Sequence, residues 1–122
     1  MPARAREGLP KSYRLLQPSA FTSVLRRGCK KRDGYFTVLV VRNTLAHLRV
    51  GLVVSRKVSS RAVVRNRIKR QIRESVRHHQ PELKGLDLVV IAQPQAARAE
   101  ASALRASLRQ HWISIIEKCG KP

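Results

Sequence analysis

Apolar residues recur along the chain with two different spacings, which separate predicted helices from predicted strands. Residues 17–28 have the pattern of a short amphipathic helix, with Pro18 suited to the first helical position and Gly28 placed to end it. One side of this helix is apolar and carries Phe21, Val24 and Leu25. We expect the helix to pack against the rest of the fold through that side.

Two runs rich in β-branched and aromatic residues, 35–41 and 48–54, predict strands. A turn at 43–47 separates them, so we expect the two strands to form an antiparallel hairpin. Residues 29–34, which precede the first strand, contain the sequence Lys-Lys-Arg and are predicted to form a basic loop.

The second half of the chain alternates helix, strand and helix. Residues 59–79 predict a helix that Ser59 or Ser60 can cap, and its apolar residues repeat every four positions: Val64, Ile68, Ile72 and Val76. Residues 86–92 form a nearly continuous apolar run, as in a strand covered on both faces, which completes a βαβ unit. Residues 99–119 predict a last helix with one apolar stripe: Leu104, Leu108, Trp112, Ile115 and Ile116.

The predicted order α-β-β-α-β-α around one small sheet indicates an α+β sandwich. The 122 residues suit a single domain, 1–122, in which we expect residues 1–12 and 120–122 to be flexible termini. Cys29 and Cys119 form no Cys-x-x-Cys pair, so we expect free thiols rather than zinc ligands. No apolar stretch approaches the roughly 20 residues that span a bilayer.

Charge narrows the function, because 26 Lys and Arg face only 7 Asp and Glu, for a formal net charge of +19. Such an excess predicts a polyanionic partner. Of the basic residues 18 are Arg, whose planar fork suits phosphates and base edges, so nucleic acid is favoured over a membrane surface.

The predicted helix at 59–79 concentrates this charge. Residues 55–77 hold nine of the 26 cations with Glu74 as the one acid, and five of them follow each other at four-residue intervals: Arg61, Arg65, Lys69, Arg73 and Arg77. Like charges at that spacing destabilise a helix by a few tenths of a kcal/mol per pair. A solvated basic face is the simplest interpretation of most charge runs, but the repeated repulsion and Asn66 among the arginines favour an RNA-binding helix.

The order of motifs resembles the bacterial ribonuclease P protein family. Residues 65–70 read Arg-Asn-Arg-Ile-Lys-Arg with Ile-Arg-Glu at 72–74, and residues 51–57 end a predicted strand in Ser-Arg-Lys. The first helix, with Arg14-Leu15-Leu16 before it, and the strand at 87–92 are also similar to that family. The resemblance covers about residues 13–112 in the family's order and spacing.

This resemblance implies a small two-layer α+β sandwich of order α-β-β-β-α-β-α. Its sheet has four strands, one more than the apolar pattern alone predicts, and an unusual left-handed βαβ crossover contains the arginine helix. The residues alone would favour a right-handed crossover, the form of roughly 98% of such connections.

The implied function is that of the protein subunit of ribonuclease P, which binds the catalytic RNA and the 5′ leader of precursor tRNA and assists endonucleolytic removal of the leader. Hydrolysis would be performed by magnesium ions in the RNA, with no cofactor bound by the protein. The implied setting is the bacterial cytoplasm, with one protein per RNA and no membrane.

The resemblance and the charge pattern together give two sets of candidate residues. The predicted catalytic-RNA-binding set is Arg61, Arg65, Asn66, Arg67, Lys69, Arg70 and Arg73. The predicted leader-binding set is Arg14, Phe21, Phe36, Ser55, Arg56 and Lys57. Leu25 and Leu39 depart from the family, which often has aromatic residues there, so leader stacking could be weaker or Tyr35 could compensate.

No protein-borne active site is predicted. The seven acids are dispersed, whereas a metal-dependent nuclease needs clustered carboxylates. His78 and His79 are adjacent on a helix, where consecutive side chains point about 100° apart, so they do not form an acid–base pair. The alternatives are a ribosomal-type structural RNA-binding protein and a stand-alone nuclease or RNA chaperone.

Overall fold

The computed structural model describes residues 13–15 and 18–118. In chain order the elements are α1 Pro18–Arg27, β1 Cys29–Arg32, β2 Phe36–Arg42, β3 Arg49–Val53, α2 Ala62–His78, α3 Gln80–Leu83, β4 Leu86–Ala92, a 3-10 helix Pro94–Arg98 and α4 Ala101–Lys118. The helices predicted at 17–28, 59–79 and 99–119 correspond to α1, α2 and α4. The predicted flexible termini, 1–12 and 120–122, lie outside the described residues, and the single domain 1–122 stays a prediction.

The four strands form one mixed sheet in the order β1-β2-β4-β3. Strand β2 is antiparallel to β4, with Phe36 opposite Ala92, while β3 runs parallel to β4, with Val53 opposite Ile91. The four-stranded α+β fold and the parallel strands of the βαβ unit are therefore confirmed. The left-handed sense of the crossover through α2 stays a prediction.

The predicted hairpin between the strands at 35–41 and 48–54 is wrong. Strand β4 lies between β2 and β3 and pairs with both. The reason is that β4 is apolar along almost its whole length, with Leu88, Val89 and Val90 fully buried, so it is most stable in the middle of the sheet. Two strands that are neighbours in sequence are thereby separated in space.

The predicted basic loop at 29–34 is also wrong in part, because Cys29–Arg32 forms the edge strand β1. Three of its four residues are cations: Lys30 and Arg32 are exposed, and Lys31 is half-buried. A strand of this composition shows no apolar alternation in the sequence. Charged residues are typical of edge strands, where they oppose pairing with another chain.

Cys29 is disulfide-bonded, so the expectation of a free thiol there is wrong as well.

Both faces of the sheet carry apolar packing. On one face, Phe36, Val38 and Leu88 pack with side chains from α2 and α4, and these contributors from the helices are Ile68, Ile72, Val76, Leu104, Leu108 and Trp112. Trp112 Nε1 donates a hydrogen bond of 2.8 Å to Ser75 Oγ, which ties α4 to α2. The other face is smaller and packs Val24 of α1 against Leu39 and Val89.

The start of α2 differs from the prediction that Ser59 or Ser60 caps it. Arg61 is the N-cap residue, and no side chain caps the helix. Ser59 Oγ instead accepts a hydrogen bond of 3.2 Å from the Arg61 backbone N–H. Ser59 therefore stabilises the approach to the helix, which begins three residues later than predicted.

Asp33, in the turn between β1 and β2, links that turn to α4. Its Oδ1 accepts hydrogen bonds from the backbone N–H groups of Tyr35 (2.9 Å) and Phe36 (2.8 Å). Ser107 Oγ donates to Oδ2, and His111 Nε2 lies 3.3 Å from Oδ1. Partial burial raises the pKa of this carboxyl, but the hydrogen bonds outweigh burial and lower the pKa below its ordinary 3.8.

Replacing this carboxylate tests its contribution to stability. Because the folded state lowers the pKa of Asp33, its stabilising effect is present above the ordinary value of 3.8 and is lost as the pH falls through the lower folded value. We expect Asp33→Asn to reduce the free energy of unfolding by about 1 kcal/mol near neutral pH. The difference from the unsubstituted protein should shrink towards about pH 3, measured by urea unfolding.

Glu117→Gln is the matched control, because Glu117 is an exposed carboxylate on α4. It should leave the free energy of unfolding nearly unchanged at both pH values. A loss for Asp33→Asn that is equal at both pH values would show that the charge of Asp33 is not involved.

Candidate nucleic-acid interface

The helix α2 separates an apolar seam from a charged outer surface. Ile68, Ile72 and Val76 are fully buried, whereas Asn66 and Arg70, one turn apart, are exposed. Arg61 and Arg67 are exposed as well. We call Asn66, Arg67 and Arg70 the outer face of α2, and it presents two guanidinium groups and one amide to the solvent.

Two arginines of the predicted catalytic-RNA-binding set are held by backbone carbonyls. Arg65 Nη1 donates a hydrogen bond of 3.0 Å to the carbonyl oxygen of Ser59. Arg67 Nη2 donates one of 3.1 Å to the carbonyl oxygen of Ala97, in the 3-10 helix. Each guanidinium keeps further N–H donors, because Arg carries five. The contacts orient these side chains without neutralising their charge.

The remaining two residues of that set, Lys69 and Arg73, face a different surface. They line a cleft of about 260 Å³ together with Arg14, Leu15, Phe21, Val50, Gly51 and Leu52. We call it the cationic cleft. It lies between the segment before α1, the edge strand β3 and α2. The structure therefore divides the predicted catalytic-RNA-binding set between the outer face of α2, the start of the helix at Arg61 and Arg65, and this cleft.

Backbone contacts position Arg14 and Phe21 at the cleft. Arg14 forms a parallel bridge with Val50, and the Leu15 N–H donates a hydrogen bond of 3.0 Å to the Val50 carbonyl oxygen. Phe21 is half-buried against β3. A Cβ atom added to Gly51 would lie 2.7 Å from Phe21 Cε2, so the ring rests on bare backbone. A larger residue at position 51 would displace it.

The predicted leader-binding residues Ser55, Arg56 and Lys57 form an exposed turn just after β3. Ser55 Oγ accepts a hydrogen bond of 3.2 Å from the Lys57 N–H, and the Ser55 carbonyl accepts one of 3.0 Å from Val58 N–H. These bonds leave the two basic side chains exposed at the carboxyl end of the strand.

Phe36 does not belong to this surface. Its side chain is fully buried in the core between the sheet and the helices α2 and α4, whereas Phe21, a residue of α1, packs on the opposite face of the sheet. The strand alternates its side chains between the two faces, and position 36 falls on the covered one. Phe36 must therefore be removed from the predicted leader-binding set.

The two leucines that depart from the family differ in exposure. Leu25 is exposed on α1, while Leu39 is buried beneath that helix with Val24 and Val89. Tyr35 packs against the core that contains Phe36, on the other side of the sheet from Phe21. It does not lie beside Phe21 as a substitute platform.

Sequence reasoning missed two features of the basic surface. The edge strand β1 adds Lys30, Lys31 and Arg32, for which the sequence predicts a loop. The convergence of Arg14 with Lys69 and Arg73 was also missed, because more than fifty positions separate them in sequence. The bridge between Arg14 and Val50 places Arg14 beside β3, and no local pattern signals it.

Two of the acids have structural partners. Asp87 receives two hydrogen bonds from Arg49, of 2.9 and 2.7 Å, and Asp33 binds the turn and α4 as described above. Within residues 13–15 and 18–118, no three His, Cys, Asp or Glu side chains are grouped as a metal site would require. In the same part of the chain, none of the helices has the length and apolar character needed to cross a bilayer.

The geometry defines a small basic α+β protein with an arginine-rich helix whose charge faces outward. Comparison with known proteins identifies its family, because the family model for Ribonuclease P matches residues 9–115. The chain belongs to the ribonuclease P protein family, of the bacterial type. Members are components of a ribonucleoprotein endoribonuclease that processes tRNA.

Individual relatives agree with this assignment. The chain is 42% identical over 112 residues to the ribonuclease P protein component of Methylococcus capsulatus, covering 92% of this chain and 88% of the relative. The Staphylococcus aureus RNase P protein superposes with a TM-score of 0.78 at 32% identity, covering 86% of this chain and 95% of that one. A variant of that protein, described as defective in mRNA degradation activity, superposes with a TM-score of 0.79 at 31% identity, covering 88% and 90%.

The contact between Gly51 and Phe21 leads to a stability prediction. Gly51→Ala should lower the free energy of unfolding by about 1–3 kcal/mol, because the new methyl group overpacks against the ring. Urea unfolding measures the loss. In the Phe21→Leu background the same substitution should cost less, because the ring that it meets is gone.

Gly34→Ala provides the control, since a Cβ there would meet only the flexible end of the Gln95 side chain. It should be nearly neutral. If Gly51→Ala costs the same with and without the Phe21 ring, the ring does not rest on this glycine.

Proposed function

We propose that this protein binds the catalytic RNA of ribonuclease P through the outer face of α2, and binds the single-stranded 5′ leader of precursor tRNA along Phe21 and the turn at Ser55, Arg56 and Lys57. Hydrolysis is performed by magnesium ions held in the RNA. The protein contributes affinity and orientation, with one copy per RNA, in the bacterial cytoplasm.

The single observation that carries this proposal is the uncompensated charge of α2. Its residues and those leading into it hold nine cations and one acid, and α2 keeps Arg70 and Asn66 exposed while its apolar seam is fully buried. A helix that binds RNA needs this separation, because phosphate contacts come from exposed Arg and Lys and from amide side chains. Within residues 13–15 and 18–118, no acid forms an ion pair with a cation of this helix, which leaves RNA phosphates to neutralise the charge.

The leader part of the proposal is supported by chemistry of a different kind. Unpaired bases stack on aromatic rings, and backbone phosphates follow basic side chains, in proteins that bind single strands. Phe21 is half-buried and lines the cationic cleft, and Arg56 and Lys57 extend from the end of β3. These residues supply both kinds of contact.

Reconstitution tests the proposed function. Precursor tRNA is incubated with protein alone, catalytic RNA alone, and both together at limiting magnesium. We expect cleavage at the mature 5′ end to require the catalytic RNA and to become more efficient with the protein. Cleavage by the protein alone would favour the alternative of a stand-alone nuclease.

A ribosomal-type structural protein is the other alternative. Such a protein would co-purify with ribosomal RNA rather than with the catalytic RNA, and it would leave cleavage of precursor tRNA unchanged in the reconstitution.

Phe21→Leu tests the leader contact, because leucine keeps most of the buried volume and removes the aromatic face. Stacking of a base on an aromatic ring contributes about 1–3 kcal/mol. We expect affinity for precursor tRNA to fall up to about tenfold for each 1.4 kcal/mol removed, with cleavage at saturating substrate unchanged. Binding assays with the assembled enzyme measure this loss.

Mature tRNA, which has no leader, is the control ligand and should bind with unchanged affinity. Equal losses for both ligands would mean that Phe21 serves only the fold and that the leader binds elsewhere.

A further inference from the structure

A polar cavity of about 230 Å³ lies at the edge of the sheet formed by β1. Its lining comes from the end of β1, the turn after it, and α4: Lys31, Arg32, Asp33, Gln110, His111 and Ser114. We call it the β1 pocket. The cationic cleft lies at the other edge of the sheet, beside β3. Among the described residues that line the β1 pocket, none belongs to either predicted RNA-binding set.

Lys31 reaches this pocket because of its register in the sheet. It lies opposite Val38 in the antiparallel pair of β1 and β2. Side chains opposite each other on paired strands share one face of the sheet, and Val38 is fully buried on the face that α2 and α4 cover. Lys31 therefore lies on the side of α4, where it is half-buried, whereas its neighbour Lys30 lies on the other face.

The cations of the β1 pocket have no anionic partner in the described part of the chain. Asp33 follows them directly, but its carboxylate accepts hydrogen bonds from Ser107 and from two backbone N–H groups of its own turn. Neither Lys31 nor Arg32 forms an ion pair with any described residue. Protection of a sheet edge explains why β1 is charged. It does not explain why a half-buried lysine lines a cavity.

The walls of the pocket are held in place by contacts within the fold. The hydrogen bonds of Asp33 fix the turn that follows β1, and His111, which is buried, lies with Nε2 3.3 Å from Asp33 Oδ1. Gln110 and Ser114, one turn apart on the same side of α4, add an amide and a hydroxyl group to the lining. A site fixed in advance loses little conformational freedom when a ligand binds.

The chemistry of the lining fits a phosphate group of folded RNA. Lysine, arginine, amide and hydroxyl side chains are the groups that contact phosphate oxygens and sugars in nucleic-acid complexes. The cavity is smaller than the roughly 300–1,000 Å³ of sites that enclose a whole small molecule, so it suits one group of a longer ligand. Its described lining contains no Phe, Tyr or Trp on which an unpaired leader base could stack.

We propose that the β1 pocket binds one backbone phosphate of the catalytic RNA through Lys31, with Gln110 and Ser114 as neutral donors. The inference rests on the proposed function and adds a contact that the family resemblance does not imply. Helix α4 packs against both α2 and β1, so the pocket and the outer face of α2 lie on different sides of α4. Contact along α2 alone leaves the protein free to rotate about that helix, and a phosphate held at β1 fixes its orientation on the RNA.

Lys31→Gln tests the contact through the affinity of the protein for the catalytic RNA. We expect a loss of about tenfold, the effect of removing one hydrogen bond to a charged group. The slope of log affinity against log salt should fall by about 0.7–0.9, which corresponds to one phosphate contact. Lys31→Arg keeps the charge and should retain most of the affinity. Lys31→Met, which keeps the apolar stem, replaces the glutamine variant if that does not fold.

Lys84→Gln is the matched control. Lys84 is exposed after α3 and lies outside the β1 pocket, so this variant removes the same charge and should change neither the affinity nor the slope. Gln110→Ala separates the pocket from diffuse attraction, because it should lower the affinity without altering the slope. Gln95→Ala, at an exposed glutamine of the 3-10 helix, should do neither.

Hydroxyl-radical footprinting of the catalytic RNA locates the contact. Lys31→Gln should expose nucleotides that differ from those exposed by Arg70→Ala on the outer face of α2. Because the two contacts are separate, the loss of affinity in the double variant should equal the product of the two single losses. Precursor tRNA should bind the fully assembled Lys31→Gln enzyme with unchanged affinity.

The inference is overturned if Lys31→Gln and Lys84→Gln have equal effects, or if Lys31→Gln and Arg70→Ala expose the same nucleotides. It is also overturned if Lys31→Gln weakens only the binding of precursor tRNA to the assembled enzyme. Failure of the proposed function is distinguishable from these results. In that case the unsubstituted protein would not assemble with the catalytic RNA or improve cleavage, and Arg70→Ala would have no effect.

Discussion

The buried seam of α2 holds a row of like charges at the protein surface, and the fold and the interface both depend on it. Repulsion between cations one turn apart costs a few tenths of a kcal/mol per pair. Burying a side chain such as Ile68, Ile72 or Val76 contributes about 1.5–3 kcal/mol. Burial therefore wins, and the helix forms with its charges unpaired. The Trp112 to Ser75 hydrogen bond adds a fixed point between α2 and α4.

The described acids that form ion pairs serve the fold rather than the charged helix. Asp33 fastens the turn between β1 and β2 to α4, and Asp87 pairs with Arg49 across β3 and β4. Lys69 and Arg73 face a cleft whose described lining has no acid. The two kinds of charge therefore have different roles. The carboxylates of Asp33 and Asp87 stabilise tertiary contacts, and the cations of α2 remain available to a polyanion.

The sequence predicted the features that depend on local periodicity. The four-residue spacing of Ile68, Ile72 and Val76 predicts α2, and the nearly continuous apolar run of β4 correctly indicates a strand buried on both faces. The predictions that failed concern features that depend on contacts between distant segments. Nothing in residues 35–54 signals that β4 inserts between β2 and β3, and the charged edge strand β1 has no apolar alternation to detect.

The candidate site shows the same division. Periodicity and charge predicted the arginine-rich helix, the family resemblance supplied the role of Phe21, and the structure brings Phe21 to a cleft with Lys69 and Arg73. The resemblance also suggested Phe36 as a leader-binding residue. A match of aromatic residues alone cannot distinguish such a residue from a core residue, because the burial of Phe36 depends on which face of β2 the helices α2 and α4 cover. The position of Gly51 beneath the Phe21 ring is likewise a tertiary fact.

The salt dependence of assembly with the catalytic RNA tests the central claim most directly. The logarithm of the affinity should fall steeply with the logarithm of the salt concentration, by about 0.7–0.9 for each phosphate contact. Arg70→Ala should lower that slope by roughly one contact, and Arg105→Ala should leave it unchanged. A slope near zero for the unsubstituted protein, or one that Arg70→Ala does not alter, would contradict the account of an unpaired cationic helix neutralised by RNA.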